Sequence, residues 1–281
     1  MEVEKIRFTK EQETMLITLY AKALESRSRQ PVLSDPWAEQ AIGQIDHDFA
    51  KFEIGRQEML TFALRARNFD VQATRFLSKN PCGTVLNLGC GLDSRIYRIN
   101  PSECVTWYDV DYPGVIDLRR RLYPGRSMYF LVGSPLADLS WLEKVPGDQP
   151  AFVMAEGVTM YLTEALLKQI LNRIVDHFPG GEIMFDAHSK LIVDMAARSG
   201  MTLRGTGASF TWGLDRPQDI IQLEPRLQFV AQFKSSDLPD FPRMPLSSRL
   251  RVWSMELLSR FRGLHRPLLY RFPKGRESAQ K

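Results

Sequence analysis

A chain of 281 residues, 44% hydrophobic and 25% charged, has an ordinary globular composition and enough length to bury a core without staples. Three cysteines (Cys82, Cys90, Cys104) form no C-x-x-C pair; so sparse and odd a set argues against a disulfide framework or a zinc cluster and fits a reducing cytoplasm. The formal charge of +4 is uneven, because Arg243 to Lys281 holds ten Lys or Arg against Glu256 and Glu277, a pattern read first as a solvated face and a frayed end. The first residues lack the apolar region of a secretory signal, and no run of 18 apolar residues marks a transmembrane segment.

In chain order, Met15, Leu16, Leu19, Tyr20, Ala23 and Leu24 recur at helical spacing and predict a helix over 11–28. A break at Gln30 to Pro36 follows, and a second helix is expected after Ser34 or Asp35 with Pro36 in its first turn. A longer helix is expected over 56–79, so residues 1–80 form an N-terminal helical segment ahead of a core at 81–281. Strands are then predicted at 84–88, 105–110, 127–132, 151–155 and 182–186, with helices at 114–122, 163–177 and 187–204. Two further strands, near 226–233 and 268–272, flank a helix near 246–262. This alternation implies a Rossmann-like α/β fold, a mostly parallel sheet with helices on both faces.

Asn87-Leu88-Gly89-Cys90-Gly91-Leu92-Asp93 sits where the first strand ends, at the sheet edge where α/β proteins bind ligands. Asp111 closes the second strand 22 residues after Gly89, where an acid can accept from both hydroxyls of a ribose; Asp109 points to the opposite face. The bland alternative for Asp111 is a turn aspartate before Pro113. A dinucleotide fingerprint needs a third glycine at position 94, which is Ser94, and this disfavours an NAD-dependent oxidoreductase.

With these residues in view, Asn87 to Arg95 (NLGCGLDSR) resembles the N-L-G-x-G-x-D-[ST]-R motif of the leucine carboxyl methyltransferase superfamily, including its bacterial polyketide O-methyltransferase (tetracenomycin-type) branch. Tyr108 to Pro113, Glu156 to Leu162 (EGVTMYL), Tyr20 to Ala23, Ser34 to Ala38 and Arg65 to Asp70 resemble further segments of that family in the same order. Beyond residue 186 only Thr211 to Leu214 aligns, and loosely. The resemblance implies a class I methyltransferase with a seven-stranded, mostly parallel sheet, an N-terminal helical extension and S-adenosylmethionine as cofactor. It also implies that Arg65, with Lys22 assisting, pairs with the methionyl carboxylate, and that Glu156 lies by the amino and sulfonium end. Arg67 competes with Arg65, and a helix-terminal charge is the alternative for Glu156. The family often has an acid that contacts the adenine where this chain has Pro135, in Gly133-Ser134-Pro135-Leu136. Ser134 is therefore carried as a cofactor-binding candidate, with Asp138 or backbone carbonyls as substitutes for the acid.

A carboxylate acceptor needs no general base, whereas a phenol or enol benefits from one; His188 and Tyr161 are the catalytic candidates, and an ordinary loop histidine is the alternative for His188. Residues 187–215, with Gly200, Gly205, Gly207 and Gly213 among apolar groups, suit a substrate lid. No metal is implied. The favoured function is O-methylation of a small-molecule carboxylate or hydroxyl, and the resemblance implies a polyketide-like acceptor. A protein C-terminal carboxylate is the alternative acceptor, and a non-catalytic cofactor-binding module is the alternative class. Few aromatic residues interleave the basic tail, so a nucleic-acid partner is disfavoured. The sequence is silent on oligomeric state.

Overall fold

The computed structural model describes residues 10–199, 210–262 and 266–273. Helices α1 (Lys10–Ser26), α2 (Pro36–Ile42) and α3 (Arg56–Lys79) precede the first strand. Asp35 caps α2 by accepting from the Ala38 N–H at 3.0 Å, with Pro36 in the first turn, a cap worth about 1 kcal/mol. At the start of α3 the Gly55 N–H donates to the Glu58 side chain at 3.2 Å. The apolar face of α1 (Leu16, Leu19) packs with Phe49, Val115 and Leu118, which fastens it to the core.

Strands β1 (Thr84–Leu88), β2 (Thr106–Asp111), β3 (Tyr129–Gly133), β4 (Ala151–Ala155), β5 (Gly181–Ala187), β6 (Gln228–Gln232) and β7 (Arg266–Phe272) form one sheet in the order β3-β2-β1-β4-β5-β7-β6. The first five are parallel, and β7 runs antiparallel to both β5 and β6. Every residue of β1 and β4 is buried, as continuous apolar strands covered on both faces should be. Strand alternation divides them: Val85, Phe152 and Met154 face a core shared with α3, while Leu86 and Val153 face one shared with α6 (Glu164–His177). The remaining helices are α4 (Arg95–Ile99), α5 (Pro113–Leu122), α7 (Lys190–Ser199) and α8 (Leu246–Arg262). Among the described residues, no helix is long and apolar enough to cross a membrane.

The chain winds from β1 outward to β3, then returns to β4 on the other side of β1. The carboxyl ends of β1 and β4 thus flank a crevice at the point where the winding reverses, the usual ligand position in such sheets. β2 and β3 end one residue later than their apolar runs suggest, because Asp111 pairs with Gly133 in the ladder. The expected helix at 187–204 begins only at Lys190, and its residues 200–204 lie outside the described residues.

One expectation is corrected. Cys82 and Cys104 are joined in a disulfide, with Cα atoms 4.7 Å apart, while Cys90 is free and buried. The physical reason is register: Thr84 pairs with Thr106, so the residues two places upstream on each strand lie side by side. A separation of 22 residues hides that proximity in the sequence.

Candidate functional site

At the end of β1 the chain turns through Gly89 (φ 62°) and Gly91 (φ 51°), both in the left-handed region that favours glycine. A Cβ at Gly89 would lie 2.5 Å from Val158 Cγ2, so the loops after β1 and β4 touch where only glycine fits. Arg119 of α5 braces the turn from below, donating to the carbonyls of Gly91 (2.9 Å) and Asp93 (2.8 Å). Its other arm meets Asp109, which also accepts from Asn87 (3.0 Å), Trp107 (2.9 Å) and Tyr129 (2.6 Å).

Asp109 is thus wholly buried in a structural network, while Asp111, on the other face, reaches the crevice. One Asp111 oxygen accepts from the Gly91 N–H at 2.7 Å and the other from the Tyr112 N–H at 2.7 Å, and each keeps a lone pair. Burial pushes the Asp111 pKa above its ordinary value, against the pull of those two N–H groups. The Ser134 N–H donates to the Asp111 carbonyl at 2.8 Å, which sets Ser134 beside it. A cavity of about 280 Å3 lies here, lined by Asp111, Tyr112, Ser134, Leu136 and Val158. Asp138 is turned to capping the following turn through the Ser140 N–H and does not line the cavity.

A second cavity of about 140 Å3 lies at the ends of β1 and β4 and shares Gly89, Gly91, Gly157 and Tyr161 with the first. Its walls are strongly charged. Glu156 accepts from Arg65 Nε at 2.9 Å and pairs with Arg95, and Lys22 Nζ is 3.8 Å away. Burial disfavours ionisation of Glu156, but Lys22, Arg95 and Arg65 outweigh it and hold its pKa below the ordinary value. Asp93, between Lys22 (3.2 Å), Arg95 (3.0 Å) and Arg98 (2.8 Å), is held lower still against the same burial. Arg65 also approaches Asp186 at 3.5 Å and lies over the Phe62 ring at 5.3 Å. The Gly157 N–H donates to Asp186 at 2.6 Å.

Arg65 and Arg67 are therefore distinguished: Arg67 leaves this crevice and forks onto Asp240 at 2.8 and 2.5 Å. The ion-paired cluster sets four cations (Lys22, Arg65, Arg95, Arg98) against five carboxylates (Asp35, Asp70, Asp93, Glu156, Asp186). Of these, Lys22, Arg65, Arg95, Asp93 and Glu156 line the cavity, a mixed-charge wall that suits a ligand carrying both a carboxylate and cationic groups. At the mouth, the ring of buried His188 stacks on Phe210 at 5.0 Å, and Tyr161 meets the same ring at 5.6 Å.

Lys22, Arg65, Gly89, Gly91, Glu156, Tyr161 and His188 meet in one cavity, and Asp111 and Ser134 meet in the one that adjoins it. Sequence reasoning passed over Asp93, Arg95, Asp186, Phe62, Phe210 and the α1 side chains Thr14, Met15 and Thr18, all of which line or support these walls. Asp93 and Arg95 stand within the quoted glycine motif, and two opposite charges just past a tight turn were a usable signal. Nothing local marks Thr14 or Phe62, which arrive by helix packing.

Residues 15–125 match the family model described as leucine carboxyl methyltransferase. The chain is 40% identical over 269 residues to the tetracenomycin polyketide synthesis O-methyltransferase TcmP of Streptomyces glaucescens, covering 96% of this chain and 99% of that protein. It is 34% identical over 247 residues to the S-adenosyl-L-methionine-dependent methyltransferase dpfgK of Gibberella zeae, covering 80% and 82%. Among solved structures, a Thermobifida fusca protein assigned to the methyltransferases superposes with a TM-score of 0.54 at 15% identity, covering 90% of this chain and 94% of that one, a likeness of fold.

Proposed function

Because the chain belongs to the leucine carboxyl methyltransferase family and is an S-adenosylmethionine-dependent methyltransferase, we propose that it methylates a carboxylate or hydroxyl oxygen of a small, polyketide-like molecule. The observation that carries this reading is the pairing of two environments in one crevice: a buried, mixed-charge cluster around Glu156 and a carboxylate with spare lone pairs at Asp111.

The residues fit the cofactor, which combines ammonium, sulfonium and carboxylate groups with an adenosine. Arg65 and Lys22 offer a fork and a point charge to the carboxylate. Glu156, kept ionised by its partners, would hold the positive groups. Asp111 would accept from the ribose hydroxyls, Ser134 would border the base, and Gly89 and Gly91 would admit the ligand against bare backbone. S-adenosylmethionine supplies the methyl electrophile when bound; the protein supplies orientation and a matched field.

Acceptor chemistry divides the labour at the mouth. A carboxylate arrives ionised and needs only positioning, whereas a phenol must lose a proton; His188 is the base for that step, and Tyr161 is a polar group lining the acceptor site. We assign residues 1–80 as a helical cap on the core at 81–281, with α1 lending Thr14, Met15 and Thr18 to the cavity walls. Residues 187–215 act as the acceptor lid; 200–209 of that segment lie outside the described residues. A nucleic-acid partner is disfavoured, since Tyr270 and Phe272 of the basic segment are buried in β7. We place the enzyme in the cytoplasm, where the Cys82–Cys104 bridge would meet a reducing thiol pool.

The test is methyl transfer from labelled cofactor to paired aromatic acids and phenols. His188→Ala is expected to spare ester formation and to depress ether formation at least tenfold. Equal loss on both acceptor types would remove His188 as a base.

A further inference from the structure

On the reading proposed above, the cofactor fills the two cavities already described, so an acceptor needs space of its own. A third cavity of about 760 Å3 lies at the same edge of the sheet, between α3, α8 and the turn from β6. Its volume falls in the range of about 300–1,000 Å3 typical of small-molecule sites. Arg65 lines both this cavity and the one around Glu156, so the two have that residue in common.

The walls divide by chemistry. Trp253, Leu257 and Leu258 of α8 are 44, 59 and 48% exposed, a broad apolar surface on one wall of the cavity. The Trp253 ring is fixed from behind by Phe241 at 5.7 Å and Arg249 at 5.3 Å, so it presents a steady flat plate. Thr61, from the facing helix, touches Met255 Sδ at 3.9 Å and closes one end. Among the described lining residues the cations are Arg65, Lys234 and Arg266, and the carboxylate, Glu256, is occupied by the Ser236 N–H and hydroxyl at 2.7 Å each. Arg266 also donates to the Asp215 carbonyl at 2.7 Å, and the adjoining Leu214 N–H donates to the His188 carbonyl at 2.8 Å. The wall of the cavity is therefore tied to the segment that carries His188.

We propose that this α3–α8 cavity is the acceptor site, and that it takes a flat, mainly apolar molecule bearing one acidic oxygen. The apolar body lies against Trp253, Leu257 and Leu258, and the cations Lys234 and Arg266 draw the acidic group into the cavity, whose wall at Arg65 is shared with the cofactor site. The inference rests on the methyltransferase reading and adds to it where the acceptor sits.

The experiment uses the full chain saturated with S-adenosylhomocysteine, and 2-naphthoate and anthraquinone-2-carboxylate as probes, followed by tryptophan quenching and by equilibrium dialysis. Saturable quenching is expected, and in Trp253→Phe the quenching shrinks. Thr61→Trp, which fills the cavity, and Leu257→Glu, which adds a negative charge to an exposed position, should each weaken probe binding at least tenfold. Both should bind S-adenosylhomocysteine within twofold of wild type, which also reports that they are folded. Absence of saturable binding overturns the proposal, as does equal binding by wild type and both variants. A concentration-dependent dimer in sedimentation that Leu257→Glu dissolves would assign this face to a second copy and likewise overturn it. If either acid is methylated with the same KM by wild type and both variants, the function stands and the cavity assignment falls. Failure of wild type to bind S-adenosylhomocysteine removes the functional reading itself.

Discussion

Replacing Arg119 by Met tests whether the glycine turn is held by the network beneath it. Arg119 and Asp109 are 0 and 1% exposed, so the substitution strands a carboxylate in the core. Breaking a buried pair from one side costs about 3–5 kcal/mol. Asn87, Trp107 and Tyr129 still donate to Asp109, which places the expected loss near the lower end, about 3 kcal/mol. Removing the stranded charge as well, in Arg119→Met with Asp109→Asn, should give a coupling of about 2 kcal/mol. Equilibrium urea unfolding at neutral pH, with free energies extrapolated from a common slope, reads both quantities. S-adenosylhomocysteine affinity should also fall in the single variant, because the Gly91 and Asp93 carbonyls lose their donor. A loss under about 1 kcal/mol, or strict additivity in the double variant, would refute the argument that this buried pair supports the turn.

Acid should separate binding from folding. The Asp111 pKa lies above 3.8, so S-adenosylhomocysteine affinity, which needs the ionised acceptor, is full above the raised value and lost as pH falls through it. The pKa values of Glu156 and Asp93 are depressed, so the stability they contribute is complete above their unfolded values of 4.5 and 3.8, declines below them and is fully lost once pH has fallen through the lower folded values. Calorimetry and circular dichroism across that range should therefore show affinity failing first; coincident loss would contradict the ordering. Gly89→Ala meets both a left-handed backbone and Val158 at 2.5 Å, and cofactor affinity should drop at least tenfold, with partial recovery when Val158→Ala is added. An unchanged affinity would show that the loops part at little cost. Reducing the Cys82–Cys104 bridge opens a loop of about 22 residues, and the chain-entropy model gives about 3 kcal/mol of lost stability. Urea unfolding with and without reductant measures it, and alkylation of freshly isolated protein reads the natural state of the pair.

The regular elements were legible because their signals are local. Thr84–Leu88 and Ala151–Ala155 are short apolar runs bounded by turns, and Pro36 with Asp35 announces α2 without reference to anything distant. The choice between Asp109 and Asp111 followed from strand alternation, and the two side chains do lie on opposite faces. What escaped was set by packing between distant segments. Asp186 meets Arg65 across 121 residues, and Thr14 reaches the crevice only because α1 folds over it. The Cys82–Cys104 contact depends on the β1–β2 register, which no single-strand pattern contains. The α3–α8 cavity is likewise invisible in sequence, since the exposed Leu257 and Trp253 read as one side of an ordinary amphipathic helix.

The most direct measurement is calorimetric titration with S-adenosylhomocysteine, with NAD in parallel, on wild type, Asp111→Asn and Glu156→Gln. The account predicts that wild type binds S-adenosylhomocysteine and not NAD, and that each variant weakens binding by at least tenfold, about 1.4 kcal/mol, while remaining folded. Undiminished affinity in both variants, or binding of NAD in place of S-adenosylhomocysteine, would contradict it.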